Sequence, residues 1–456
     1  MDDSDEPPVR GWRDFAARWL AETFIASDWT LEGMESAARE TLKQDRPRNW
    51  LPKLIADIRE KSPTPYAPAP ETLQQLILES RAFRGFYPEA KENPALEEFW
   101  TLPPVFAPIP ALRELDLPQL ASAADLAHWL NLSPRFLDWF ADVEGYRGAA
   151  ESEATRHYTY RWIPKRSGRS RLLEAPKQLI KGIQRKILRD ILDKVAPHDS
   201  AHGFRRGRSC LTGAQLHAGE DIVITMDLAD FFASVPVRAV HGLFRSLGYP
   251  WEVTRLLAGL CSTVTPTSLF DALPAERQPS RETRDRFLQG HLPQGAPTSP
   301  ALANLCVRRL DCRLDGLARH LGARYSRYGD DMAFSGDADF AARRGGFLNL
   351  VTAICTKEGF AVNRRKTRIM RHSDRQRITG IVVNDHINIP RPDYDRLKAI
   401  LHNCARHGPA GQNREGHPDF RAHLDGRVTW VENVNPPRGL KLRLLFERID
   451  WGAWNN

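Results

Sequence analysis

Arg324 to Gly336 reads RYSRYGDDMAFSG. Two short apolar runs flank a turn that contains Gly329, a pattern that predicts a hairpin rather than a helix. The turn carries two adjacent carboxylates, Asp330 and Asp331. Adjacent acids on a tight turn point at one spot. A third carboxylate at that spot would let it hold two divalent cations and carry out in-line phosphoryl transfer. A Tyr-x-Asp-Asp string also arises by chance, so the reading depends on finding the third acid elsewhere in the chain.

Upstream, DIVITMDLADFFASVP alternates Ile222, Ile224 and Met226 against Val223, Thr225 and Asp227, as a strand does. Asp227 is placed at the end of that strand, followed by Asp230 and the aromatic pair Phe231 and Phe232. A carboxylate at a strand mouth also reads as an ordinary turn residue. Taken with Asp330 and Asp331, it completes a two-metal set. Further upstream, RWIPKRSGRSRLLEAPKQLIKGIQRKILR, starting at Arg161, holds ten Lys or Arg residues and a single acid, Glu174. Its first half, around Gly168, predicts a basic hairpin. Its second half predicts a buried helix, with Leu179, Ile180, Ile183, Ile187 and Leu188 on one face. Charges that flank a turn suit a triphosphate or a nucleic-acid backbone, although Lys and Arg also form plain solvated faces. AHGFRRGRSC, from Ala201 to Cys210, adds three arginines on a Gly-rich loop.

Composition sets the outer limits. At 41% hydrophobic and 27% charged, the 456 residues have a globular balance and are enough for two or three domains. The formal charge of +8 and pI near 9.2 favour an anionic partner. No apolar run approaches 18 residues, and the start, MDDSDEPPVR, is acidic where a secretion signal would be basic and then apolar. The expectation is a cytoplasmic protein without a membrane partner. The six cysteines form no C-x-x-C pair and read as mostly small buried residues. His402, Cys404, His407, His417 and His423 lie close in sequence, but their spacing matches no common zinc pattern. The N-terminal segments, such as WRDFAARWLAETF, have helical periodicity broken at Ser62 to Pro70 and at Leu102 to Pro110. After the second break come two short amphipathic helices with Ser122 and Ser133 as N-caps. They read as a packing unit more readily than as a DNA-binding pair.

The order of segments resembles that of reverse transcriptases, and within them the bacterial retron enzymes, over about Leu117 to Trp451. HLPQGAPTSPALAN, His291 to Asn304, matches the family's Leu-Pro-Gln-Gly-x-Pro-x-Ser-Pro segment. GFAVNRRKTRIM, Gly359 to Met370, is similar to the palm segment with an Asn and a Lys-Thr pair, and HLDGRVTWVENVNPPRGLKLRLLFERIDW is similar to the start of a thumb. Two segments point to retrons with substitutions. Gly213-Ala214-Gln215-Leu216-His217 stands where retron enzymes carry Asn-Ala-x-x-His, and Ile378-Thr379-Gly380 where they carry Val-Thr-Gly. Gly329 stands where they usually have Ala, and a polar, helix-capable insertion lies between Cys261 and His291.

The resemblance implies an α+β right-hand polymerase fold with fingers, an antiparallel palm and a short helical thumb, preceded by a helical extension. Its divisions would be residues 1–110, 111–385 and 386–456. It implies RNA-directed DNA synthesis in which Asp227, Asp330 and Asp331 hold two Mg²⁺ ions. Lys165 and Arg171 would contact the deoxynucleoside triphosphate, Gln294 and Gly295 would lie beneath it, and Phe232 would gate against a ribose 2′-hydroxyl. Lys366 would protonate the leaving pyrophosphate. It further implies a structured non-coding RNA as template and primer, a branched RNA–DNA product and a separate effector protein in anti-phage defence. A group II intron-type or other defence-associated reverse transcriptase would share the metal site and be expected to add maturase or endonuclease segments. A non-catalytic RNA-binding scaffold would have no need of the three acids.

Overall fold

Alternation of β-branched and aromatic residues builds three antiparallel sheets in the computed structural model, which describes residues 12–27, 29–42, 49–63, 67–68, 70–86, 104–143, 153, 155–164 and 170–452. The chain divides into two compact units, Met1–Val195 with Val235–Leu302 and Ala196–Ser234 with Ala303–Asn456.

In the first unit, five helices form an N-terminal bundle: Trp12–Ala26, Leu31–Leu42, Trp50–Lys61, Pro70–Glu79 and Arg81–Phe86. Leu20, Phe24, Leu54, Ile58, Leu73, Ile77 and Phe83 meet in its own apolar core. The paired helices that follow are capped as their sequences predict. Ser122 accepts from the Asp125 N–H in a capping box ahead of Ala123–Leu130, and Ser133 accepts from the Phe136 N–H ahead of Pro134–Ala141. Leu126, Leu130, Leu137 and Phe140 are buried, so this pair presents a packing face. Strands β1 (Tyr158–Pro164) and β2 (Ser170–Pro176) pair in register from Tyr158–Pro176 to Pro164–Ser170. The turn between them, with Lys165 and Gly168, lies outside the described residues.

The helix Gln178–Asp190 buries Ile180, Ile183, Gln184 and Ile187. This corrects the expected face at one position, because Leu179 is 72% exposed. Gln184 enters the stripe in its place, and its amide donates to Tyr158 Oη and to the Leu260 carbonyl, each at 2.9 Å. A polar residue can occupy a buried position when its donors are met. The insertion is helical, at Ser268–Asp271 and Arg281–Phe287, and it packs inward through Phe270 and Phe287. The Phe270 ring meets the edge of Trp162 on β1.

The second unit is built on a four-stranded antiparallel sheet in the order β4-β5-β3-β6, comprising β3 (Ile222–Asp227), β4 (Arg324–Tyr328), β5 (Asp331–Gly336) and β6 (Arg368–Arg371). The period of two sorts its faces. Tyr325 pairs with Phe334 on one face, where their rings stack at 4.9 Å and Phe347 of the helix Ala338–Lys357 closes edge-on. Ser326, Ala333 and Thr225 share the other face with Asp227 and Asp331. A second core joins Val223, Ala333 and the short hairpin β7 (Arg377–Ile378) and β8 (Ile381–Val382) to three thumb helices, Arg391–His407, Phe420–Val434 and Pro436–Phe446. Among the described residues no helix is long and apolar enough to cross a membrane. Cys261, Cys355 and Cys404 are buried as expected, whereas Cys312 is exposed. These elements give an α+β fold with a four-stranded antiparallel sheet where the resemblance implies a palm, C-terminal helices where it implies a thumb, and a helical N-terminal region.

Candidate active site

The register of β3 against β5 places Asp227 opposite Asp331, and Asp330 is the preceding residue on the β4–β5 turn. Three carboxylates from distant parts of the sequence therefore meet at one end of the sheet. Backbone bonds fix the approach: the Leu228 N–H donates to the Asp330 carbonyl at 3.0 Å, and the Asn363 N–H to the Asp227 carbonyl at 2.7 Å. Gly329 makes the turn with φ +64°, in the left-handed region that suits glycine, and an added Cβ would stand 3.2 Å from the Phe204 ring. The Ala usual at this position in retron enzymes would be strained in the turn as it is formed here.

Mutual repulsion adds to burial in setting the charge state of this cluster. Burial first, then the charges of Asp330 and Asp227, push Asp331 up to about 6. Lys366 relieves part of that repulsion, its Nζ donating to Asp227 Oδ2 at 2.7 Å. Desolvation opposes the Lys366 ammonium, but its hydrogen bond to Asp227 and the attraction of all three acids together raise its pKa. The lysine lies on the turn Arg364–Lys366, which the bridge between Leu228 and Val362 holds beside Asp227. Among the described residues no three His, Cys, Asp or Glu side chains close into a finished metal cage. The histidine-rich segment forms no such group: His417 stacks on His423 at 3.8 Å, and Cys404 is buried in the thumb core. The three aspartates form an open, all-oxygen, self-repelling cluster. That donor set fits hard divalent cations such as Mg²⁺.

Beneath the turn lies a group that periodicity alone does not single out. Arg327 is fully buried, and its guanidinium donates to Asp311 Oδ1 and Oδ2 at 2.8 and 2.7 Å, to Asn304 Oδ1 at 2.9 Å and to the Gly329 carbonyl at 3.0 Å. Tyr325 Oη also donates to Asp311, at 2.8 Å. The Asp330–Asp331 hairpin is thus tethered from within by a bidentate ion pair. The signal was in the opening stretch, where Arg327 stands in phase with the buried Tyr325. On the opposite face His217 bridges Ser335 Oγ at 2.7 Å and Ser326 Oγ at 2.8 Å, which ties β5 to β4. Burial first, then His202 and Arg324, lower its pKa to about 3, so it is neutral in the folded protein. Gly213, from the same motif, packs on His202, and both line a cavity of about 110 Å³ that also contacts Thr379 and Asp331.

Phe231 is buried against Phe360, with the Arg327 guanidinium over its ring, whereas Phe232 is half-buried and leaves part of its ring accessible. In the first unit, Arg171 is exposed on β2 opposite Ile163, and Lys165 lies outside the described residues. Gln294 is half-buried and Gly295 exposed, on a loop joined to β2 by the Glu174 N–H, which donates to the Gln294 carbonyl at 2.9 Å. Gly295 has φ +141°, and an added Cβ would lie 2.8 Å from the Glu174 carbonyl oxygen, so this position requires glycine.

Residues 163–383 match the family model described as reverse transcriptase (RNA-dependent DNA polymerase). The chain is 42% identical over 297 residues to the Retron Mx65 reverse transcriptase of Myxococcus xanthus, covering 64% of each protein. It is 36% identical over 337 residues to the Retron Mx162 reverse transcriptase of the same organism, covering 71% of this chain and 66% of the relative. To the Retron Ec86 reverse transcriptase of Escherichia coli it is 29% identical over 283 residues, covering 62% of this chain and 77% of the relative. The match thus spans a little under two thirds of the two Myxococcus relatives' length. Residues 163–383 thus resemble a reverse transcriptase domain, and the relatives to which the chain is similar are retron reverse transcriptases.

Proposed function

We propose that the protein is an RNA-directed DNA polymerase of retron type that copies part of a structured non-coding RNA. The observation that carries this reading is the convergence of Asp227, Asp330 and Asp331 at one end of the sheet, with Lys366 on Asp227. The three aspartates would hold two Mg²⁺ ions. When bound, such ions lower the pKa of a primer hydroxyl and neutralise charge on the nucleotide phosphates. The carboxylates orient the ligands of this site. Lys366, a protonated donor already directed at it, supplies a proton to the leaving pyrophosphate.

Lys165 and Arg171 are proposed to bind the triphosphate, and Gln294 and Gly295 the nucleotide and nascent base pair. The partly accessible ring of Phe232 would exclude a ribose 2′-hydroxyl. The family's further features follow as part of the same reading: priming from an internal 2′-hydroxyl, a branched RNA–DNA product, and a role in anti-phage defence with a separate effector protein.

The test is to purify the protein with its bound nucleic acid and to supply Mg²⁺, deoxynucleotides and a primed RNA template. The expected result is template-dependent DNA synthesis together with a discrete copurifying species in which DNA is joined to RNA through a branch. Bound intron RNA would instead support a group II intron-type enzyme. RNA binding without synthesis would support a scaffold.

A further inference from the structure

Glu174 is the single acid in the strongly basic segment 161–189, and it is fully buried. Its carboxylate has two partners: His291 Nε2 at 2.9 Å on Oε2 and Thr265 Oγ1 at 2.7 Å on Oε1. The other imidazole nitrogen, Nδ1, faces the Gln289 carbonyl at 2.8 Å. With a carboxylate oxygen at one nitrogen and a carbonyl oxygen at the other, a doubly protonated ring donates to both, the arrangement of a buried imidazolium–carboxylate pair. Desolvation opposes that charge, but Glu174 and the Gln289 carbonyl outweigh it and raise the pKa of His291. Tyr158 and Tyr160 face Glu174 from β1. Burial is the main cause holding both phenols protonated, so they do not compete for the charge. The edge of Phe287, from the insertion helix, closes the other side of His291 at 5.1 Å.

We propose that Glu174 and His291 are positioning residues that fix the basic hairpin and the Gln294–Gly295 loop as one nucleotide-binding surface. The inference rests on the polymerase reading above, in which both elements contact the incoming nucleotide. Three contacts converge on Glu174. Its side chain takes His291 at the base of the loop, its N–H donates to the Gln294 carbonyl, and its own carbonyl abuts Gly295. Arg171 lies three residues earlier on the same strand. The insertion between Cys261 and His291 takes part as well, through Thr265 and Phe287.

The sign of the pH effect follows. A histidine pKa raised by its partner means that the pair is complete below the ordinary value near 6.5, and that its contribution is lost as pH rises through the raised value. Glu174→Gln replaces the charge pair with a neutral one. Its amide can donate to an unprotonated Nε2 and its oxygen can accept from Thr265.

The experiment measures kcat and KM for deoxynucleotide on a primed RNA template from pH 6 to 9, in the parent, Glu174→Ala and Glu174→Gln, alongside Tm. The parent's KM is expected to rise on the alkaline side. In Glu174→Ala it should rise about tenfold at pH 7, with kcat within about threefold of the parent. In Glu174→Gln it should stay within about threefold of the parent at pH 7 and lose its alkaline rise. A lower Tm in Glu174→Ala with unchanged KM would overturn the positioning role and leave the pair purely structural. If Glu174→Ala does not fold, a parent-like alkaline rise in Glu174→Gln would overturn it as well. A parent that incorporates nothing refutes the polymerase reading, and the positioning role falls with it.

Discussion

Replacing Asp311 with Asn tests whether the Asp330–Asp331 turn is held from inside the sheet. Arg327 is fully buried, and Asp311 is its charge partner through two bonds of 2.8 and 2.7 Å. The substitution keeps the shape but turns one acceptor into a donor facing a guanidinium. Desolvation opposes the Arg327 charge and Asp311 raises its pKa; a guanidinium is basic enough to stay protonated without that partner, so the cation remains after its counter-charge is gone. Breaking a buried pair on one side costs about 3–5 kcal/mol. At about 2–4 °C per kcal/mol for a unit of this size, the Tm should fall by about 6–20 °C. Arg327 also donates to the Gly329 carbonyl, so the Asp330–Asp331 turn should loosen. Incorporation assayed well below the new Tm should fall by about tenfold or more. Thermal unfolding followed by circular dichroism, with single-turnover incorporation at 20 °C, reads both effects. A Tm within about 2 °C of the parent would refute the argument that this pair carries the turn.

Other consequences can be checked with the same protein. Lys366→Met should lower the single-turnover rate by roughly a hundredfold with little change in template affinity, and an unchanged rate would remove its role as proton donor. Phe232→Ala should raise the ratio of ribonucleotide to deoxynucleotide incorporation, and a ratio equal to the parent's would dismiss the gate. His217 is neutral when folded, with its pKa lowered to about 3, and takes up a proton on unfolding below about 6.5. Its contribution to stability therefore falls as pH drops through that window, by about 2 kcal/mol between pH 7 and pH 5. Denaturant titrations at the two pH values should show a smaller difference for His217→Gln than for the parent; an equal difference would contradict the assignment.

The features visible in the chain were those that depend on local pattern. Period-two alternation located β3, apolar runs about a Gly turn located β4 and β5, helical spacing located the N-terminal helices, and Ser122 and Ser133 marked the caps that form, while the C-terminal helices were expected from the resemblance. The meeting of Asp227 with Asp331 depends on strand register between segments about a hundred residues apart, which no local pattern encodes; the residue types suggested a three-acid set, and the resemblance implied that the three act together. Helical spacing misplaced Leu179 because it ranks residues by polarity, whereas Gln184 is buried through its hydrogen bonds. The roles of Arg327 and Glu174 were not legible for a related reason. Each is a charge whose burial makes sense only once its partners, Asp311 and His291, have been brought in by tertiary structure.

The central claim is that three carboxylates at one end of the sheet perform nucleotidyl transfer. The most direct test is Mg²⁺-dependent incorporation of labelled deoxynucleotide on a primed RNA template by the parent and by the double variant Asp330→Asn with Asp331→Asn, both verified as folded. The parent should synthesise DNA, and the double variant should lose at least about a thousandfold in rate, the several kcal/mol that a two-cation site supplies. Parent-like synthesis by the double variant would contradict the account.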